Sequence, residues 1–115
     1  MKDNIIVTKS RGFAIRIIRL YQYLLSDKKE YILSKQLLRS GTSIGANVKE
    51  AIQGQSKKDF IAKMQISLKE VSETEYWLDL LHETDYLDKN QFISINNDCI
   101  ELIKLLTSII KQSKE

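Results

Sequence analysis

Apolar residues recur along almost the whole chain at steps of three and four, and the stretches between those runs are short and polar. Four such runs can be laid out, and each reads as an amphipathic helix. In the first, Phe13, Ile17, Leu20 and Leu24 form one stripe, and Ala14, Ile18, Tyr21 and Leu25 form a second beside it. The spacing predicts a helix that begins between Asn4 and Ser10 and ends near Ser26. A double stripe is wide enough to pack against two neighbours. Arg16, Arg19 and Tyr23 fall on the opposite side.

Ser26-Asp27-Lys28-Lys29-Glu30 breaks the pattern. Asp27 followed three residues later by Glu30 has the spacing of a capping box opening a second helix. That helix runs to about Gln53, with Gly54 placed as a C′ residue. Leu33, Leu37, Ile44, Val48 and Ala51 make its apolar stripe. Beside it Gln36, Ser40, Ser43, Asn47, Glu50 and Gly54 recur at alternating steps of four and three, so all six share one side. Solvated helix faces usually hold Lys and Glu rather than Ser, Gly and Asn, so this stripe reads as a seam against other helices; an ordinary solvated face is the alternative. Gly41 and Gly45 lie inside the same helix, each costing about 1 kcal/mol relative to Ala. Close approach of a neighbouring backbone would compensate, and a kink or split near Gly41 is the other reading.

Ser56-Lys57-Lys58-Asp59 is a second capping-box-like start, opening a helix to about Glu83 whose core face is Phe60, Met64, Leu68, Val71 and Leu78. Its acids fall in two rows. Glu70 and Glu73 share a side with Trp77, and Arg39 is their natural partner if the second and third helices are antiparallel. Glu75, Asp79 and Glu83 are expected to face water. Asp88-Lys89-Asn90-Gln91 starts a fourth helix, to about Lys111, with Phe92, Ile95, Cys99, Leu102, Leu106 and Ile109 on its core side. Ile100, Ile103 and Ile110 widen that side, Asn96 and Asn97 are expected outside, and Gln112 to Glu115 are expected to fray. Four amphipathic helices with short connections predict an all-α, antiparallel up-down-up-down four-helix bundle in one domain, residues 1–115.

Composition agrees with that architecture. The chain of 115 residues has no Pro and four Gly, so helix breakers are scarce. Hydrophobic content of 43% and charged content of 29% fit a folded soluble domain and argue against disorder. A single cysteine, Cys99, rules out an intramolecular disulfide and fits a cytoplasmic setting. No apolar run approaches the roughly 18 residues of a membrane span. The opening residues Met1 to Val7 are too short and polar a segment for a signal peptide.

Charge is unevenly placed. Net charge is +3, but residues 1–49 hold ten Lys and Arg against three acids, and residues 50–115 hold eight against twelve. Glu70 to Asp88 contains seven acids and no Lys or Arg. Either a basic surface meets phosphate, or the two regions pair with each other within or between subunits.

Enzyme chemistry finds little support. A bundle di-iron site needs two Glu-x-x-His pairs, and this chain has one histidine, His82. One Cys and one His make zinc equally hard to hold. Cys99 lies in an apolar stripe and reads as a buried, inert thiol. Gly41 and Gly45 follow no strand, so they are not a dinucleotide loop. No catalytic residue, cofactor or metal is expected.

The segment Ser43-Ile44-x-x-Asn47-Val48-x-Glu50-Ala51, taken with Glu73-Thr74-Glu75-Tyr76-Trp77-Leu78, resembles the small four-helix-bundle proteins encoded within intervening sequences of bacterial 23S ribosomal RNA genes. The similarity covers most of the chain, through Gln36-Leu37, Arg39-Ser40, Ser56, Asp59-Phe60, Lys63-Met64 and Leu68-Lys69-Glu70. The resemblance implies an antiparallel bundle, similarity to proteins that assemble as ring-shaped homopentamers, and no established enzymatic activity. Related accessory proteins of diversity-generating retroelements are basic rings that bind nucleic acid and a reverse transcriptase.

The expected function is therefore a non-enzymatic, oligomeric bundle protein that contacts RNA or DNA through Lys9, Arg11, Arg16, Arg19, Lys28, Lys29 and Lys35. These would meet phosphate rather than base edges. The alternative is a protein–protein adaptor without direct nucleic-acid contact. Gln36, Arg39, Ser43, Asn47, Glu50, Glu70 and Glu73 are the expected polar network between helices or subunits. No membrane partner is expected.

Overall fold

The structure is a computed structural model that describes the backbone of residues 2–115 and the side chains of residues 5–115. The Met1 to Asn4 part of the segment judged too polar for a signal peptide therefore lies outside the described side chains. Four helices follow one another: α1 (Lys2–Ser26), α2 (Leu33–Ile52), α3 (Lys57–Glu83) and α4 (Lys89–Lys114). They form an antiparallel bundle 45 × 21 × 19 Å, each helix packed on its neighbours in sequence, with α4 returning beside α1 in the loosest of the four contacts. None of the described helices is long and apolar enough to cross a membrane.

The core comes from the stripes that the spacing predicts. Phe13, Ile17 and Leu24 of α1, Leu37, Ile44 and Val48 of α2, Met64, Val71 and Leu78 of α3, and Ile95, Cys99, Leu102 and Leu106 of α4 are all buried. The second stripe of α1 is not. Ala14, Tyr21 and Leu25 are half-buried and Ile18 stays 40% exposed, so α2 and α4 cover this row only in part.

Helix starts differ in how local they are. Ser56 Oγ accepts the Asp59 N–H at 3.0 Å. At Asp88 the box is complete: its carboxylate accepts the Gln91 N–H at 2.8 Å while the Gln91 side-chain Oε1 accepts the Asp88 N–H at 2.9 Å. The box expected at Asp27 and Glu30 does not form. Lys29 adopts a left-handed conformation (φ 56°), which delays α2 to Leu33. The buried Glu30 carboxylate instead accepts the N–H groups of Ile32, Leu33 and Ser34 at 3.2, 3.1 and 2.7 Å. These orphan donors would otherwise go unsatisfied, since Ile32 has no capping side chain.

The C-terminal ends of the helices are closed in different ways. Gly54 does not use a positive φ. Its missing side chain leaves room for Asp59, whose Oδ2 would sit 2.5 Å from a Cβ there. At the end of α3, Asp85 takes the left-handed position (φ 70°). Tyr86 N–H donates to the Leu81 carbonyl at 2.9 Å and Asp85 N–H to the His82 carbonyl at 3.1 Å, which together are a Schellman motif. At its far end α4 stays helical through Lys114 rather than fraying from Gln112.

Candidate functional site

In the middle of α2 the neighbouring helix α1 approaches closely, and small residues make that possible. A Cβ on Gly41 would lie 2.7 and 2.8 Å from Ile17 Cγ1 and Cγ2, and one on Gly45 would lie 3.3 Å from the Ser10 carbonyl oxygen. Both glycines face α1, and α2 runs past them without a break. The adjacent side of α2 meets α3 through buried hydroxyls. Ser67 Oγ donates to the Ile44 carbonyl at 2.9 Å, and Thr74 Oγ1 lies 2.9 Å from Ser40 Oγ and 2.7 Å from the Glu70 carbonyl oxygen. Ser40, Ser67 and Thr74 are fully buried. Burying hydroxyls is tolerable only because each finds a partner.

This seam is narrower than the expected network. Ser43 Oγ donates to the Arg39 carbonyl at 2.7 Å and Asn47 Nδ2 to the Ser43 carbonyl at 2.8 Å, so both serve their own helix. Glu50 is exposed and does reach across between helices as expected, pairing with Lys63 of α3 at 3.2 Å. Gln36 is exposed. The dry seam thus runs through Ser40, Ser67 and Thr74, within one subunit. Ser67 and Thr74 escape a reading of α2 alone, though each sits on the buried side of its own helix.

The acid–aromatic row forms as expected. Arg39 Nη1 lies 3.1 Å from Glu70 Oε2, Arg39 Nη2 contacts Glu73 Oε2, and Trp77 Nε1 donates to the same Glu73 oxygen at 3.0 Å. The Trp77 N–H and then Arg39 hold the Glu73 carboxyl below its ordinary range. Glu75 does not face water as expected. It is half-buried, and burial raises its carboxyl. Cys99 is fully buried and its thiol is pushed up to about 12, chiefly by that burial. His82 stacks on Phe92 at 4.6 Å between ring centroids. Among the described residues no group of three His, Cys, Asp or Glu is placed to hold a metal ion.

The seven candidate bases do not share a face. Lys9 pairs with Glu101 at 3.4 Å. Arg16 is held on α4, 2.7 Å from Asp98 Oδ2 and 3.1 Å from Ser94 Oγ. Those two ties are part of the pairing between the basic and acidic halves, formed within the subunit. Arg19 borders a groove of about 540 Å³ between α1 and α4, also lined by Tyr23, Asn90 and Gln91. Arg11 borders another, about 500 Å³, on the far side of α1 against α2, lined by Val7, Ala14, Ala46 and Ile52. Lys28 and Lys29 lie in the connection after α1, and Lys35 in the first turn of α2, near the end of the bundle where α1 finishes. Arg11, Arg19, Lys28, Lys29 and Lys35 are exposed and make no ion pair among the described residues.

Comparison with known proteins adds two findings. The family model of the 23S rRNA-intervening sequence proteins matches residues 2–108. A crystal structure of a protein with unknown function from the S23 ribosomal protein family of Bacteroides thetaiotaomicron VPI-5482 is 58% identical. It superposes with a TM-score of 0.96 over 96% of this chain and 99% of that one. No curated protein matches the chain.

Proposed function

The chain belongs to the 23S rRNA-intervening sequence protein family, and from that premise we propose that it is a non-enzymatic, oligomeric bundle protein that associates with RNA through exposed bases. The observation that supports this best is the set Arg11, Arg19, Lys28, Lys29 and Lys35, exposed and in no ion pair among the described residues. Burying charge against a phosphate backbone releases counterions, so such groups favour nucleic acid without reading its sequence. Lys9 and Arg16, already paired with α4, contribute less.

Assembly would supply the avidity that a dispersed patch needs. The α1/α2 groove offers apolar Val7 and Ile52 beside basic Arg11 and Lys49, while α3 offers exposed Tyr76, with Glu73 and Asp79 three residues to either side of it in the chain. Two unlike faces joining head to tail close a ring when the rotation permits, and a homopentamer is the ring we favour. The same groove supports the second reading, an adaptor that docks a protein partner and leaves nucleic acid alone.

Native mass of the purified protein, with and without nuclease, tests both parts. Expected is an integral multiple of 13.4 kDa, five for a pentamer, plus nucleic acid that nuclease removes. A monomer with no salt-sensitive RNA binding would refute the proposal. An assembly that captures protein but no RNA would favour the adaptor.

A further inference from the structure

The bundle brings together a second group of bases that lie far apart in the chain. Lys57 and Lys58 occupy the first turn of α3, and Lys111 and Lys114 the last turns of α4. Antiparallel packing places both at the same end of the molecule, opposite the end that holds Lys28, Lys29 and Lys35. There Lys57, Lys58 and Lys114 line one groove of about 660 Å³, with Ile61, Ala62 and Gln65 between them. All four lysines are exposed, and none makes an ion pair among the described residues. The nearby acid Asp59 is turned towards Gly54, into a neighbouring groove with Glu50 and Lys63. Glu115 is the one acid beside Lys114 in the chain.

The placement works against local stability. Lys57 and Lys58 sit at the positive end of the α3 dipole and close to two further cations, and Asp59 in the same first turn and Glu115 beside Lys114 offset only part of that repulsion. Four cations gathered against two acids leave a net positive surface, and positions that break a local rule are where a functional contact is expected. The partner must be anionic and extended enough to touch cations from two helices. A phosphate backbone meets both needs, and flexible lysine ammonium groups contact phosphate without demanding a sequence.

We infer that this α3/α4 end, through Lys57, Lys58, Lys111 and Lys114, is a contact surface for the phosphate backbone of nucleic acid. The inference rests on the RNA reading above and assigns it a second surface, absent from the first set of bases.

The test measures binding of a fluorescent single-stranded RNA to the assembled protein across 50 to 200 mM salt. Compared are the wild type, the K57Q/K58Q/K111Q/K114Q variant and the R11Q/R19Q variant. Loss of four phosphate contacts should weaken binding at least tenfold and make the logarithmic salt slope shallower by about 2 to 3. Replacing the same lysines by Arg should keep the wild-type slope. If the fourfold variant does not fold by circular dichroism, K57Q/K58Q and K111Q/K114Q are tested apart, each expected to give about half the effect. A fourfold variant that binds like wild type while R11Q/R19Q weakens binding overturns this surface and leaves the RNA reading standing. A wild type that shows no salt-sensitive RNA binding, or captures phosphatidylserine vesicles instead, overturns both.

Discussion

Adding one methyl group to the middle of α2 should separate tertiary packing from helix propensity. Gly41→Ala gains about 1 kcal/mol of intrinsic helix preference. Against it stands the Cβ that would lie 2.7, 2.8 and 3.2 Å from Cγ1, Cγ2 and Cβ of Ile17. Ile17 is fully buried and branched at Cβ, so it has no flexible end to move aside. Overpacking of this kind costs about 1 to 3 kcal/mol. The net expectation is destabilisation by about 1 kcal/mol, in urea melts followed by circular dichroism at one fixed protein concentration. In an Ile17→Ala background both clashing γ carbons are gone. There Gly41→Ala should become stabilising by up to about 1 kcal/mol, although Ile17→Ala itself costs about 2 to 5 kcal/mol. The double-mutant cycle therefore predicts a coupling of about 1 to 3 kcal/mol. Gly41→Ala that stabilises the wild-type protein, or a cycle with no coupling, would refute the close-approach argument.

Two further outcomes follow from the helix ends. Glu30→Ala should cost about 2 kcal/mol at pH 7, because three N–H groups at the start of α2 lose their acceptor. Burial acts to raise the Glu30 carboxyl, but the bonds from Ser34, Leu33 and Ile32 outweigh it and hold the group below its ordinary value. A lowered acid contributes stability above its unfolded-state pKa and loses it as pH falls through the folded value. The wild type should therefore lose stability below about pH 4.5 more steeply than Glu30→Ala, and parallel acid limbs in pH-dependent melts would contradict this. Asp85→Gly should stabilise by about 0.5 kcal/mol, since a glycine takes the left-handed C′ position without strain, offset by its greater freedom when unfolded. A lower melting midpoint for Asp85→Gly would count against the Schellman assignment.

Much of this molecule was legible as one-dimensional pattern. Helical periodicity repeats every 3.6 residues, so Phe13, Ile17 and Leu24, or Ile95, Cys99, Leu102 and Leu106, declare their buried side without reference to a neighbour. The starts at Ser56 and Asp88 are equally local, because donor and acceptor lie three residues apart. The Arg39–Glu70–Glu73 contact was foreseeable as soon as antiparallel order was assumed.

What the pattern left undecided depends on angles and on distance through space. Ser40 and Ser43 both belong to the polar stripe of α2, yet only Ser40 is buried, because the direction in which α3 lies selects one and leaves the other to its own backbone. Asp27 and Glu30 have capping-box spacing, but a left-handed Lys29 turns Glu30 into an acceptor for three N–H groups further on. Charge shows the limit most clearly. Counting along the chain divides it into a basic and an acidic half, whereas folding ties Lys9 and Arg16 to α4 and gathers Lys57, Lys58, Lys111 and Lys114 at one end. Periodicity is a property of neighbours in sequence. Electrostatic and hydroxyl partners are neighbours in space, and only the packing of helices establishes those.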